Sequence, residues 1–270
     1  MIKFNGTIVQ QGSFPDGSLH LNLTDKQVES PFDNEYIIIE WFYENDAELF
    51  SLICLRKHFA AFPAVLIMPY CPHARMDRTK SVKDVFTLKY FAEVINSLDF
   101  KVVYCDDIHS NVGAALIDSY VPLDPEHCAA LDAIAAIESE NNTELVACYP
   151  DEGAMKRYSE DIDMPYAFGI KKRDWKTGKI LGLELANKEV VEGKDVIIID
   201  DICSRGGTFY YTAKALKDAG AKNVYLFVTH CEKTVLDGDL IKSGLIKKLY
   251  TTNSILPVEY RELSFFEVIE

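Results

Sequence analysis

Positive charge is scarce: 28 Lys and Arg stand against 42 Asp and Glu, and the formal net charge is −14. Such a field repels nucleic acid and anionic membrane surfaces, so neither is expected as a partner. It leaves nucleotides open, because local Lys, Arg or Mg²⁺ can overrule a global field. No apolar run is long enough to cross a bilayer, and the opening residues lack the pattern of a secretory leader. The seven cysteines are odd in number and widely spaced, and no C-x-x-C occurs. A zinc site and a disulfide framework are therefore not expected, and a reducing cytoplasm is. The two halves share no obvious sequence repeat.

What is present is an alternation of short apolar runs and amphipathic stretches over 270 residues, 48% of them hydrophobic. Strands are expected at 2–9, 36–40, 64–68, 101–105, 145–149, 164–170, 196–199, 223–229 and 247–252. Helices are expected at 45–59, capped by Asn45 and Asp46, at 85–98, before 138, after 151 and at 208–219, stopped by Gly220. Pro15-Asp16-Gly17 is turn chemistry, and the polar, glycine-containing segment 175–182 is expected to be a mobile loop. Strands alternating with helices mean an α/β fold built on parallel sheets. The length suits two domains, 1–140 and 141–270, parted in the polar stretch 138–143.

The most informative stretch is Val196-Ile197-Ile198-Ile199-Asp200-Asp201-Ile202-Cys203-Ser204-Arg205-Gly206-Gly207-Thr208. An unbroken Val/Ile run reads as a strand buried on both faces. It ends in two carboxylates and a glycine loop that opens a helix, where backbone N–H groups favour an anion. Asp200 and Asp201 can hold a divalent metal or a pair of sugar hydroxyls while residues 204–208 cradle a phosphate. In the first half, Ala74-Arg75-Met76-Asp77-Arg78 follows a buried strand. Its guanidiniums suit phosphate oxygens, or form a solvated loop tied by an Arg–Asp pair. Cys203, inside the phosphate loop, reads as a small spacer rather than a reactive thiol.

The central stretch resembles the ribose-phosphate loop of type I phosphoribosyltransferases and of their relatives, the ribose-phosphate diphosphokinases (PRPP synthetases). Pro69-Tyr70 with Ala74-Arg75-x-Asp77-Arg78 is similar to the ATP-gripping signature of the diphosphokinases. Further matches follow in that family's order: Phe14-x-Asp16-Gly17, Asn45-Asp46, Thr87-x-Lys89, Asp107-x-His109, Asp151, Lys171-x-Arg173 and Thr229-His230. The resemblance implies two tandem phosphoribosyltransferase-like domains, with the ATP site in the first and the ribose-phosphate site in the second. It implies transfer of the β,γ-diphosphate of ATP to the anomeric hydroxyl of a ribose 5-phosphate group. Phe14 and Asp16 would then frame adenine, donated by a neighbouring copy, so that a homo-oligomer is expected. Arg75, Asp77 and Arg78 would hold ATP, and His109 with Asp151 would hold Mg²⁺. Lys171 and Arg173 would cover the transferring phosphates. Asp200, Asp201, Ser204, Arg205, Gly206, Gly207 and Thr208 would take the acceptor.

The chain also departs from that family. Ser204-Arg205 stands where an acidic residue and Thr are usual, Met76 where Gln is, and Ser18 where Glu is; the first helix is missing. Exchanging acid-Thr for Ser-Arg adds about two units of positive charge beside the acceptor's phosphate. A diphosphate acceptor such as ADP-ribose would use it, which resembles a phage branch that diphosphorylates ADP-ribose in NAD salvage. A phosphoribosyltransferase consuming PRPP and a silent regulatory paralogue remain as other readings.

Overall fold

The computed structural model describes every residue except Asp33, 174–179 and Glu270, and for 171–173 and 180–182 the backbone alone. The chain divides into two compact units, Met1–Leu123 and Asp124–Glu270. Among the described residues no helix is long and apolar enough to cross a membrane.

The first unit opens with β1 (Ile2–Phe4) and β2 (Thr7–Ile8), where the sequence suggested one strand over 2–9. The reason is local. Asn5 and Gly6 both take positive φ, 46° and 76°, so the chain folds back in the two-residue turn that Asn-Gly favours. A second hairpin follows, β3 (Gln10–Ser13) and β4 (Leu19–Asn22), its tip the expected Pro15-Asp16-Gly17 turn with Gly17 at φ 82°. Between Phe4 and Phe14 the described chain holds only these strands and turns, where the family resemblance would put a helix. After α1 (Asp25–Glu29) come β5 (Ile37–Trp41), α2 (Ala47–His58), β6 (Ala64–Ile67), α3 (Thr87–Asn96), β7 (Val102–Cys105), α4 (Asn111–Leu116) and β8 (Tyr120–Pro122). The sheet order is β2-β1-β5-β6-β7-β8, parallel from β5 onward with an antiparallel edge. Leu52 and Leu55 of α2 and Leu88, Phe91 and Ile95 of α3 join the strand residues in one buried core. Each such side chain contributes roughly 1.5–3 kcal/mol of burial.

The second unit begins with α5 (Cys128–Asn141), whose first amides, at Cys128 and Ala129, donate to the Asp124 carboxylate. The units therefore part before α5, upstream of the 138–143 stretch. That stretch is polar because it is the exposed end of α5, closed by Asn142 at φ 47°. Its inner face, Ala130, Ala133, Ile134 and Ile137, packs on the second sheet. Then follow β9 (Leu145–Tyr149), α6 (Glu152–Tyr158), β10 (Tyr166–Arg173), β11 (Ile180–Ala186), β12 (Asp195–Cys203), α7 (Gly207–Asp218), β13 (Val224–Cys231), α8 (Asp239–Lys242), β14 (Leu249–Thr252), α9 (Val258–Arg261) and β15 (Phe266–Ile269). The order is β11-β10-β9-β12-β13-β14-β15, with only the β10–β11 pair antiparallel.

The central strand is covered on both faces, as its unbroken apolar run requires. Val196 and Ile198 join the cluster beneath α7, while Ile197 and Ile199 join the one beneath α5 and α6. That is the alternation of a pleated strand with two dry faces. On the far side of β9, Gly169 on β10 packs so tightly that an added Cβ would lie 2.5 Å from the Pro150 carbonyl oxygen and 3.0 Å from Leu183 Cδ1. Gly169→Ala should therefore destabilise the protein by about 1–3 kcal/mol, because a backbone carbonyl must yield. Urea unfolding of wild type and variant measures it, and equal midpoints would contradict the packing.

Candidate functional site

Asp200 and Asp201 lie at the carboxyl end of β12, in register with β13 through Cys203 opposite Cys231. Gly206 then takes φ 75° as the N-cap of α7, and a Cβ there would lie 2.7 Å from Leu240 Cδ2. Only glycine fits this conformation in this space. Among the described residues no side chain caps α7, so the loop presents helix-terminal N–H groups with the positive end of the peptide dipoles. Arg205 is exposed and makes no hydrogen bond or ion pair with another described residue, whereas Cys203 is fully buried against Cys231. The hydrogen bond to Cys231, and then burial, push the Cys203 thiol well up, the opposite of a reactive cysteine.

Three carboxylates interact here. Asp151 caps α6, its Oδ1 accepting from Gly153 N and Ala154 N at 3.0 and 3.1 Å. Burial, then the charge of Asp201 and more weakly that of Asp151, pushes the Asp200 carboxyl well above its ordinary value. Asp201, buried, has Arg157 Nη1 3.7 Å from its Oδ2. The pair thus divides into a carboxylate facing a guanidinium and a neighbour whose carboxyl is pushed above its ordinary value. Arg157 escaped the sequence reading because its partner is far away in the chain and α6 gives no separate signal. Glu232 escaped for the same reason: its Oε2 accepts from Ser204 Oγ at 2.6 Å and Thr234 Oγ1 at 2.9 Å. Ser204 therefore donates its hydroxyl proton to a carboxylate.

In the first unit, the loops after β5, β6 and β7 meet at the carboxyl edge of the sheet. Asp106 N donates to the Pro69 carbonyl at 3.0 Å, Tyr43 and Tyr70 lie 5.9 Å apart, and His73 Nε2 reaches Asp46 Oδ1 at 3.1 Å. Asp46 also accepts from Tyr43 OH, so Asn45 rather than Asp46 accepts from the Ala47 amide at the start of α2. Arg75 and Arg78 are exposed on this edge, with Arg78 Nε 3.3 Å from Asp77 Oδ1. Half-buried His109 follows Asp107, which takes φ 31°. The edge thus gathers Arg75, Asp77, Arg78 and His109. Phe14 and Asp16 sit instead on the β3–β4 tip, both exposed, their contacts local: Phe14 to His20, and Asp16 accepting from the Ser18 amide and hydroxyl. The hairpin's Ser13, Gly17 and Ser18 line a cleft of about 710 Å³ together with Glu44, Asn45 and Phe50.

Lys171 and Arg173 lie on β10, which runs on through Arg173, and the chain returns as β11 from Ile180. Residues 175–179 of the expected mobile loop, and the side chains of Lys171 and Arg173, lie outside the described residues. His127 Nδ1 lies 2.8 Å from Asp161 Oδ2. Among the described residues no group of three or more His, Cys, Asp or Glu side chains forms a ready metal cage.

Comparison with known proteins fits this architecture. Residues 129–238, from within α5 to past the glycine loop, match the phosphoribosyl transferase domain family. The chain is 30% identical to the ribose-phosphate pyrophosphokinase of Bacillus caldolyticus over 258 residues, covering 91% of this chain and 78% of the relative. It is 32% identical to that of Staphylococcus haemolyticus over 227 residues, covering 80% and 68%. The phosphoribosylpyrophosphate synthetase structure from Mycobacterium smegmatis superposes with a TM-score of 0.73, covering 97% of this chain and 85% of that one at 17% identity, which establishes a common fold. With the two mostly parallel sheets and the acidic strand end already in place, the chain belongs to the ribose-phosphate pyrophosphokinase family, whose members are kinase-type transferases.

Proposed function

We propose that the protein transfers the β,γ-diphosphate of ATP to the anomeric oxygen of a phosphorylated ribose, releasing AMP. The observation that carries this reading is the strand end of the second unit. Asp200 and Asp201 stand beside Asp151, directly before a glycine loop whose helix N-terminus has no side-chain cap. In the reaction the sugar O1–Pβ bond forms and the bridge between Pα and Pβ breaks. The bridging oxygen leaves with AMP, and the proton of the anomeric hydroxyl goes to solvent. Such displacement depends on positioning and charge neutralisation. Asp200 and Asp201 orient the ribose hydroxyls, and residues 204–208 hold the 5-phosphate. Arg75 and Arg78 hold the ATP phosphates, Asp77 lies against Arg78, and Lys171 and Arg173 cover the transferring group.

Mg²⁺ suits the donors: the crowding that pushes the Asp200 carboxyl up would be relieved by a hard divalent cation among oxygen ligands. His109 in the first unit and Asp151 in the second are each proposed as ligands for Mg²⁺, which when bound neutralises charge on the phosphate oxygens. The lack of a ready cage among the described residues suits a cation shared with substrate phosphates and water. Phe14, 52% exposed, is proposed to meet the adenine bound by a neighbouring copy in a homo-oligomer. The acceptor proposed is ADP-ribose as well as ribose 5-phosphate, because the exposed Arg205 adds positive charge that a diphosphate can use.

AMP release from ATP and Mg²⁺ with each acceptor tests the reaction, and no AMP with either would overturn it. Arg205→Thr should raise KM for ADP-ribose about tenfold and leave ribose 5-phosphate within about twofold. Equal effects on both acceptors would remove the diphosphate reading. Lys171→Ala should lower kcat about a hundredfold or more, measured at saturating ATP.

The raised Asp200 carboxyl has a pH consequence with a definite sign. The folded state keeps a proton that the unfolded chain loses above the ordinary value of 3.8, so stability falls as pH rises from there to the folded value. Urea unfolding without divalent cations, from about pH 4 to about pH 8, should show a smaller fall for Asp200→Asn than for wild type. Parallel profiles would contradict the assignment.

A further inference from the structure

Four consecutive residues of the loop, from Cys203 to Gly206, are each held by the segment that follows β13. Glu232 N donates to the Cys203 carbonyl at 2.8 Å. The Glu232 carboxylate accepts from Ser204 Oγ. Gly238 lies so close to Arg205 that a Cβ would be 2.0 Å from its carbonyl oxygen, and Leu240 closes over Gly206. The wall holds itself together as well, since Thr234 Oγ1 donates to the same Glu232 oxygen that accepts from Ser204.

We propose that Glu232 is a positioning residue for the acceptor's phosphate, holding the loop in its binding shape through Ser204; this rests on the function proposed above. A hydroxyl has one proton to donate. Ser204 gives its proton to a carboxylate at 2.6 Å, a charge-assisted bond, so an incoming anion meets backbone N–H groups and Arg205 instead. A carboxylate next to an anion site is unfavourable by charge alone. Its use here is to fix backbone donors before the anion arrives, which spares binding the entropy of ordering the loop. Thr234 keeps the carboxylate turned toward Ser204.

The experiment compares the full-length wild type with Glu232→Ala, Glu232→Gln and Thr234→Ala. Steady-state kinetics are followed with ribose 5-phosphate and ATP, and amide exchange over residues 204–210 is followed with and without inorganic phosphate. Glu232→Ala should raise KM for ribose 5-phosphate about tenfold while kcat and KM for ATP stay within about twofold. Glu232→Gln keeps an acceptor oxygen and should recover most of that loss, and Thr234→Ala should fall between. Loop exchange should quicken about tenfold in Glu232→Ala, with less protection by phosphate. The proposal is overturned by an unchanged acceptor KM, by acceptor and ATP KM rising together, or by Glu232→Gln as damaged as Glu232→Ala. A wild type that releases no AMP with any acceptor defeats the functional reading instead. In that case the exchange data still decide whether Glu232 holds the loop. If Glu232→Ala does not fold, Glu232→Gln and Thr234→Ala carry the same comparison.

Discussion

Negative charge crowded at the end of a strand with no solvated face is the constraint on which the second unit turns. Asp200 and Asp201 follow four aliphatic residues buried on both sides, so water can reach them from the strand end alone. Two neighbouring carboxylates there, with Asp151 nearby, cannot all ionise cheaply. The surrounding structure answers with Arg157 beside Asp201, an Asp200 carboxyl pushed above its ordinary value and an open helix N-terminus a few residues on. Each of these favours a ligand that brings a cation and phosphate groups into the same space. The chemistry proposed for the chain is thus the relief of an electrostatic tension that the fold itself creates.

The first unit solves a different problem with the same sheet logic. Its three central loops converge on one edge through a backbone hydrogen bond, a Tyr–Tyr contact and the His73–Asp46 pair. Arg75 and Arg78 are left exposed to solvent. A surface with a strongly negative net charge gains anion affinity only where arginines are gathered in this way. Mobile phosphate ligands need long, exposed donors, the role proposed for the guanidiniums of Arg75 and Arg78.

Much of this was legible in the sequence because it is local. The apolar run over 196–199 could only be a doubly covered strand, and Gly206-Gly207 after two acids could only be a turn into a helix. Pro15-Asp16-Gly17 announced its own turn, and the order of motifs gave the family. What escaped reading depends on partners far apart in the chain. Arg157 gains meaning only once α6 is packed beside β12, and Glu232 only once β13 lies in register with β12. The hairpin at Asn5-Gly6 was legible in principle, since that dipeptide is a strong turn signal, but the flanking apolar residues masked it as one continuous strand. The unit boundary was hidden by composition: an exposed helix end and a linker are equally polar.

The place of α5 has a practical consequence for anyone dissecting the molecule. A fragment cut at 141 would discard the helix whose Ala130, Ala133 and Ile137 cover Leu145, Tyr225 and Tyr250, leaving an oily sheet face open to water. Such a piece would aggregate, and its failure would be mistaken for dependence on the first unit. A cut at Asp124 keeps both the covering helix and the carboxylate that anchors its first turn.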